Sequence, residues 1–196
     1  MAPKERLITP RIGQPKPLLL VDIDGVVSLF GARAAASPQP SQPGRGGDGA
    51  PGGAIEGRFH TIEGIPHFLS ATAASHLLSL SRSFDLVWAS GWEEKADEYL
   101  PQLLGLPRAL PFISFSRRPS LAAPRTLAHW KLEAISAYAD ERPLAWVDDA
   151  FNPACHEWAA ARGVPTLLVS TAPERGLTAR EANTLLEWAG GLGKSQ

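Results

Sequence analysis

The chain has 196 residues, with 19 Lys and Arg against 20 Asp and Glu, for a formal charge of −1. That length supports one well-buried domain rather than two, and the charge balance argues against a general nucleic-acid binder, which would carry a basic stripe, while still allowing a local phosphate site. Cys155 is the only cysteine, so no internal disulfide forms, and neither the start of the chain nor any later run is apolar for long enough to read as a signal peptide or membrane span. These features predict a soluble cytoplasmic protein with no membrane partner.

Residues 1–16 carry Pro3, Pro10 and Pro15 among charges and read as a flexible arm, leaving 17–190 as one domain. Leu18-Leu19-Leu20-Val21 is a short unbroken apolar run, which predicts a strand buried on both faces of a parallel sheet. Residues 31–57, with Pro38, Pro40, Pro43 and Pro51 among Gly, Ser and Ala, cannot bury enough apolar surface to offset their ordering entropy. They predict a mobile loop. Residues 58–66 then predict a small flap, Arg58 to Ile62 followed by Gly64-Ile65-Pro66. A helix follows from Thr72 to Ser83, a strand over Phe84–Ala89, and a helix from Trp92 to Leu100 that Pro101 breaks or kinks. Phe112–Phe115 predicts a short strand, leading into a basic loop with Arg117, Arg118 and Arg125. The remaining pattern is helix Leu127–Tyr138, strand Leu144–Val147, helix 153–161, strand Thr166–Val169 and helix Thr178–Ala189. Strands alternating with helices predict an α/β fold, a doubly wound parallel sheet covered on both faces.

Two acidic pairs, Asp22-Ile23-Asp24 and Asp148-Asp149, leave the two most strand-like runs. Open α/β sheets bind ligands at that carboxyl edge. Carboxylates from distant segments would repel one another there, and a hard cation such as magnesium, ligated by oxygen alone, relieves the repulsion. Phosphoryl transfer through a covalent intermediate needs a nucleophile, a cation, a proton donor and ligands for the phosphoryl oxygens. Asp22 is placed to be the nucleophile and a metal ligand. Asp24, two residues on, points to the same side of an extended backbone and can protonate a leaving oxygen and then activate water. Gly25 fits a tight exit from the strand, where a side chain would crowd a bound phosphate. Ser90 and the backbone of Gly91 offer donors to phosphoryl oxygens, and Lys131 can balance the charge of phosphate and nucleophile.

Simpler roles compete for several of these positions. An Asp pair after a strand often caps a helix or makes a turn, Ser90 fits an N-cap for the helix at Trp92, and Lys131 fits a solvated helix face with Arg118 or Arg125 as substitutes. His60 and His67 flank the flap, where they could touch substrate, but read first as ordinary surface histidines. His129 and His156 lack partners at zinc-ligand spacing, Cys155 sits within a helix as no nucleophile, and the six tryptophans read as core.

Taken in order, Asp22-Ile23-Asp24-Gly25-Val26, Val87-Trp88-Ala89-Ser90, Lys131 and Trp146-Val147-Asp148-Asp149 resemble the four motifs of the haloacid dehalogenase-like (HAD) hydrolase superfamily, over residues 17–170. The resemblance implies a Rossmann-like fold and a magnesium-dependent phosphatase working through an aspartyl-phosphate on Asp22. It implies metal ligation by Asp22, by the main-chain carbonyl of Asp24, and by Asp148 and Asp149, with Asp149 the closer match to a direct ligand and the choice between the two open. Order separates this pattern from receiver domains, where the acidic pair comes first and the Lys last. Asp24 separates it from the dehalogenases, which lack this acid, and from ion-pump ATPases, which carry Lys there. The short insertions imply a minimal cap, hence a bulky or macromolecular phosphorylated substrate, or a lid from a partner subunit. Nucleic acid enters only as a substrate. A phosphotransferase, a nucleic-acid end phosphatase and a catalytically idle binding module are the alternatives.

Overall fold

The computed structural model describes residues 15–30, 55–115 and 128–192. Most of the predicted arm and mobile loop, and Arg117, Arg118, Arg125 and Leu127, lie outside them.

Four parallel strands make the main sheet in the order β5-β1-β6-β7, with β1 Leu18–Val21, β5 Asp85–Trp88, β6 Leu144–Asp148 and β7 Thr166–Ser170. All four residues of β1 are buried, as an unbroken Leu-Leu-Leu-Val run demands when helices cover both faces. Leu19, Val21, Leu86, Trp88, Ala145 and Val147 point into one core with helices α1 (Ala71–Leu80), α2 (Lys95–Leu104) and α5 (Ala179–Leu192). Their neighbours Leu18, Leu20, Val87, Leu144 and Trp146 point into the other, with α3 (Leu132–Ala139) and α4 (Pro153–Ala161). This period-two division is a doubly wound sheet.

The register places the site. Val21 pairs with both Trp88 and Val147, so β5, β1 and β6 reach the carboxyl edge in register. The next residues, Asp22, Ala89 and Asp148, therefore lie side by side at one edge, with Ser90 and Asp149 a residue further on. Asp22 N–H donates to Val147 O at 3.0 Å and Ala89 N–H to Val21 O at 2.8 Å, which holds the edge together past the strand ends.

A second, antiparallel sheet forms the flap: β2 (Ser28–Leu29), β4 (Ile65–Ser70) and β3 (Gly57–Ile62), in the order β2-β4-β3. It is larger than the predicted 58–66 segment, because β4 runs on through Phe68 and Leu69 and pairs with the short β2. Glu63 (φ 50°) and Gly64 (φ 82°) make its tip, the two positive φ values of a type I′ hairpin turn. Ser70 ends the flap and caps α1 by accepting from Ala73 N–H at 3.0 Å.

Three other expectations change. Phe112–Phe115 contributes one parallel bridge, Phe112 to Trp88, and no strand. Helix α2 starts at Lys95 instead of Trp92, after Glu93 takes φ 48°, and runs through Pro101 to Leu104 before Gly105 ends it in the left-handed conformation. A lone proline removes one helical N–H, and here it faces the core beside Leu100. The helix expected from Leu127 begins as a 3-10 turn over Ala128–Lys131. No helix among the described residues is long and apolar enough to cross a membrane.

Candidate active site

The chain leaves β1 through a tight loop that returns to the flap. Val27 and Ser28 N–H groups both donate to Ile23 O at 2.8 Å, and Gly25 N–H donates to Ser28 O at 2.7 Å. Gly25 sits at φ +75°, and a β-carbon there would come within 2.4 Å of Asp149 Cγ. The glycine is thus required by Asp149, the residue that follows β6. The segment after β7 locks this loop from the other side: Thr171 Oγ1 donates to Gly25 O at 2.8 Å and Leu177 N–H to Val26 O at 3.0 Å.

Lys131 is the positive centre of the site. Its Nζ lies 2.9 Å from Asp22 Oδ2 and 2.7 Å from Asp148 Oδ2, and it is only 3% exposed. This places it far from the solvated helix face that the sequence also allowed. The 3-10 turn carrying it is tied to the end of β6 by Ala128 N–H donating to Ala150 O at 2.9 Å. Burial opposes its charge, but Asp22 and Asp148 outweigh that and hold the ammonium protonated beyond its usual range. Asp148 is fully buried, with Ala150 N–H on its Oδ1 at 3.0 Å; burial and then Asp22 push its carboxyl up, against Lys131. Asp22 is fixed at its other oxygen, Oδ1, by Ile23 N–H at 2.8 Å.

Asp22, Asp148 and Asp149 can each offer an oxygen such that all three lie within 4.8 Å of one another. Oxygens around one six-coordinate magnesium-sized ion stand about 3–4 Å apart, so a small side-chain adjustment seats such an ion. Two oxygens of this group are already shared with Lys131, yet the carboxylates of the site outnumber its buried ammonium. The donor set, all oxygen and strongly anionic, fits a hard divalent cation. The Asp24 carboxylate lies outside this trio.

Asp24 instead turns toward the helical side of the site, where Trp92 Nε1–H donates to its Oδ2 at 3.0 Å. Burial first, then Asp22, push its carboxyl up to about 6, with the Trp92 hydrogen bond and Lys131 pulling the other way. Trp92 meets the ring of His67 edge-on at 5.0 Å, and His67 Nδ1 is 2.9 Å from Ser28 Oγ. Two of the simpler assignments therefore change. Trp92 is not only core, and His67 is a half-buried flap residue facing the site rather than a surface histidine. Neither carries a sequence signal; packing of the flap against the β5–α2 turn sets His67 on Trp92, and Trp92 reaches Asp24.

Ser90 is 1% exposed and does not cap α2, whose first turn follows Glu94. Gly91 leaves its surroundings open, since a β-carbon there would meet nothing within 4 Å. Glu93 is buried beneath this turn and accepts from Phe115 N–H at 2.8 Å, fixing the segment that follows the Phe112 bridge.

A family model described as the HAD domain in Swiss Army Knife RNA repair proteins matches residues 18–182. Among curated proteins, none matches the chain. The matched span begins with the first residue of β1 and includes every strand, both acidic pairs and Lys131. HAD domains typically use a divalent metal, which agrees with the Asp22, Asp148 and Asp149 cluster. With a parallel sheet in this order and no large cap among the described residues, the chain belongs to the haloacid dehalogenase-like superfamily, in its family of HAD domains from Swiss Army Knife RNA repair proteins.

Proposed function

We propose that the protein is a magnesium-dependent phosphoric monoester hydrolase that passes the phosphoryl group through Asp22. The observation that carries this reading is the convergence on one sheet edge of Asp22, its counter-ion Lys131, and the Asp148 and Asp149 carboxylates. In the first half-reaction a carboxylate oxygen of Asp22 attacks phosphorus. The bond to the ester oxygen breaks, and Asp24 gives that oxygen its proton. In the second, Asp24 takes a proton from water, the resulting hydroxide attacks the aspartyl-phosphate, and inorganic phosphate leaves with Asp22 restored.

A group that must give and then take a proton near neutral pH works best with a pKa close to that pH. Asp24, at about 6, meets this requirement better than an ordinary carboxyl. Lys131 holds Asp22 and stands ready to offset the phosphoryl charge, and Ser90 with the Gly91 backbone supplies donors to its oxygens. Asp22, Asp148 and Asp149, with the Asp24 carbonyl, would hold a magnesium ion, which would supply further charge neutralisation.

The family description names RNA repair, and from it we infer one substrate class, a phosphorylated RNA end. A small flap with no large cap among the described residues suits a macromolecular end, and the formal charge of −1 argues against a general RNA binder. Transfer of the phosphoryl group to an acceptor other than water uses the same aspartate. A panel of 5′- and 3′-phosphorylated oligonucleotides and small phosphate esters, at millimolar magnesium with and without EDTA, tests the proposal. Phosphate release from oligonucleotide ends that EDTA abolishes supports it, and inactivity toward every ester with magnesium present contradicts it.

A further inference from the structure

The contacts around Asp24 close on themselves. Trp92 donates to Asp24, the His67 ring packs edge-on against Trp92, Ser28 Oγ binds His67, and Ser28 is bridged back to Asp24 across the loop. This circuit draws one residue from the β5–α2 turn, one from β4 and one from β2. A salt bridge from Glu63 at the flap tip to Lys95, with Nζ to Oε2 at 2.6 Å, joins the same two structures a second time, three residues beyond Trp92. The circuit needs a physical reason. Asp22 and Asp149 both repel the Asp24 carboxylate, so an unrestrained side chain would swing away from the site. An indole N–H is a donor only and cannot itself take the carboxyl proton. It can therefore hold Asp24 in both halves of the reaction.

We propose that Trp92 and His67 are positioning residues that fix the Asp24 carboxylate for proton transfer and make its placement depend on the flap being closed. The proposal rests on the phosphatase reading for its catalytic meaning, although the contacts exist without it. Its signature is chemical. An alkyl phosphate needs a proton on its leaving oxygen, whereas p-nitrophenyl phosphate, with a stable leaving anion, hardly does. In the first half-reaction, misplacing the acid must penalise the first ester more than the second.

The test uses the full chain with Trp92→Phe, His67→Ala and His67→Phe. Trp92→Phe should lower kcat/KM for an alkyl phosphate, which reports the first half-reaction, about ten-fold or more, a fraction of what general acid–base catalysis supplies. It should lower kcat/KM for p-nitrophenyl phosphate by less than about three-fold, while kcat, which includes the hydrolysis step that needs Asp24 as base, falls for both esters. His67→Ala should show the same selective loss, and His67→Phe, which keeps a ring edge against the indole, should restore most of it. Equal losses of kcat/KM for the two esters, or no loss, would overturn the proposal. If the wild-type protein hydrolyses no ester, the phosphatase reading falls and the positioning contact is judged by nitrogen-15 NMR of the metal-free protein. The Trp92 indole resonance should shift and exchange faster with water in both Asp24→Ala and His67→Ala, while the other five of the six indoles hold. An unmoved Trp92 resonance overturns the inference by itself.

Discussion

The carboxylate of Asp149 fills the space that a side chain on Gly25 would need, with the Asp149 Cγ only 2.4 Å from where a β-carbon would stand. The loop after β1 and the end of β6 are thus fitted to each other through one missing methyl group. Gly25→Ala meets two penalties, a left-handed backbone that costs about 1–2 kcal/mol for a non-glycine residue and displacement of Asp149. The variant should melt earlier than wild type and bind magnesium about ten-fold or more weakly, the scale on which disturbed ligand support acts. Thermal unfolding and calorimetric titration with magnesium measure the two effects. Wild-type affinity in Gly25→Ala would remove Asp149 from the metal site.

Lys131→Met leaves Asp22 and Asp148 facing each other with their shared counter-ion gone. Removing one partner of a buried ion pair costs about 3–5 kcal/mol. Urea unfolding should show a loss of that order in metal-free protein, and magnesium should recover part of it by supplying positive charge to the same carboxylates. A metal-free variant as stable as wild type would mean that the ammonium does not neutralise the edge.

The carboxyl of Asp24 lies at about 6 in the folded protein, against 3.8 for an unperturbed aspartate. The folded state therefore binds this proton more tightly than the unfolded chain, and deprotonation costs stability. Below about pH 4 the group is protonated in both states and contributes nothing to the difference between pH values. Between pH 4 and pH 6 the metal-free protein should lose stability as pH rises, by on the order of 2 kcal/mol from this group. Asp24→Asn should flatten that part of the profile. A wild-type melting temperature that climbs over the same window, with the slope unaltered in Asp24→Asn, would contradict the raised value.

Asp24→Asn also bears on turnover. It removes the proton donor of the first half-reaction and the base of the second, so the steady-state rate should fall by about 100-fold or more. With p-nitrophenyl phosphate, which needs little protonation, phosphoenzyme should accumulate because hydrolysis is the more impaired half. Rapid acid quench after mixing reads this directly. Unchanged turnover would assign the acid and base to another group.

The sheet is legible in the sequence because its central strands are buried on both faces. Leu18-Leu19-Leu20-Val21 and Leu144-Ala145-Trp146-Val147 have no polar residue to blur them, and their acidic exits mark the functional edge. The flap is only half legible. Its β2 is two residues long, below the length at which alternation can be read, and it is a strand only because β4 lies beside it. The start of α2 is obscured for a similar reason. Trp92-Glu93-Glu94 has the composition of a helical first turn, but Glu93 is drawn into the left-handed region while its carboxylate holds Phe115 N–H. Trp92, which reads as core, and His67, which reads as surface, belong to tertiary contacts between segments far apart in the chain, which local pattern does not encode. Lys131 sits between these cases. Its order among the motifs points to it, and its burial between two carboxylates supplies the reason.

The central claim is that Asp22 carries the phosphoryl group. Substrate labelled at phosphorus, rapid acid quench and peptide mapping test it most directly. The account predicts label on the peptide containing Asp22, stable to acid and released by hydroxylamine, and both label and turnover lost in Asp22→Asn with its fold intact. Turnover that persists in Asp22→Asn, or phosphate released in a burst with no label on that peptide, would contradict it.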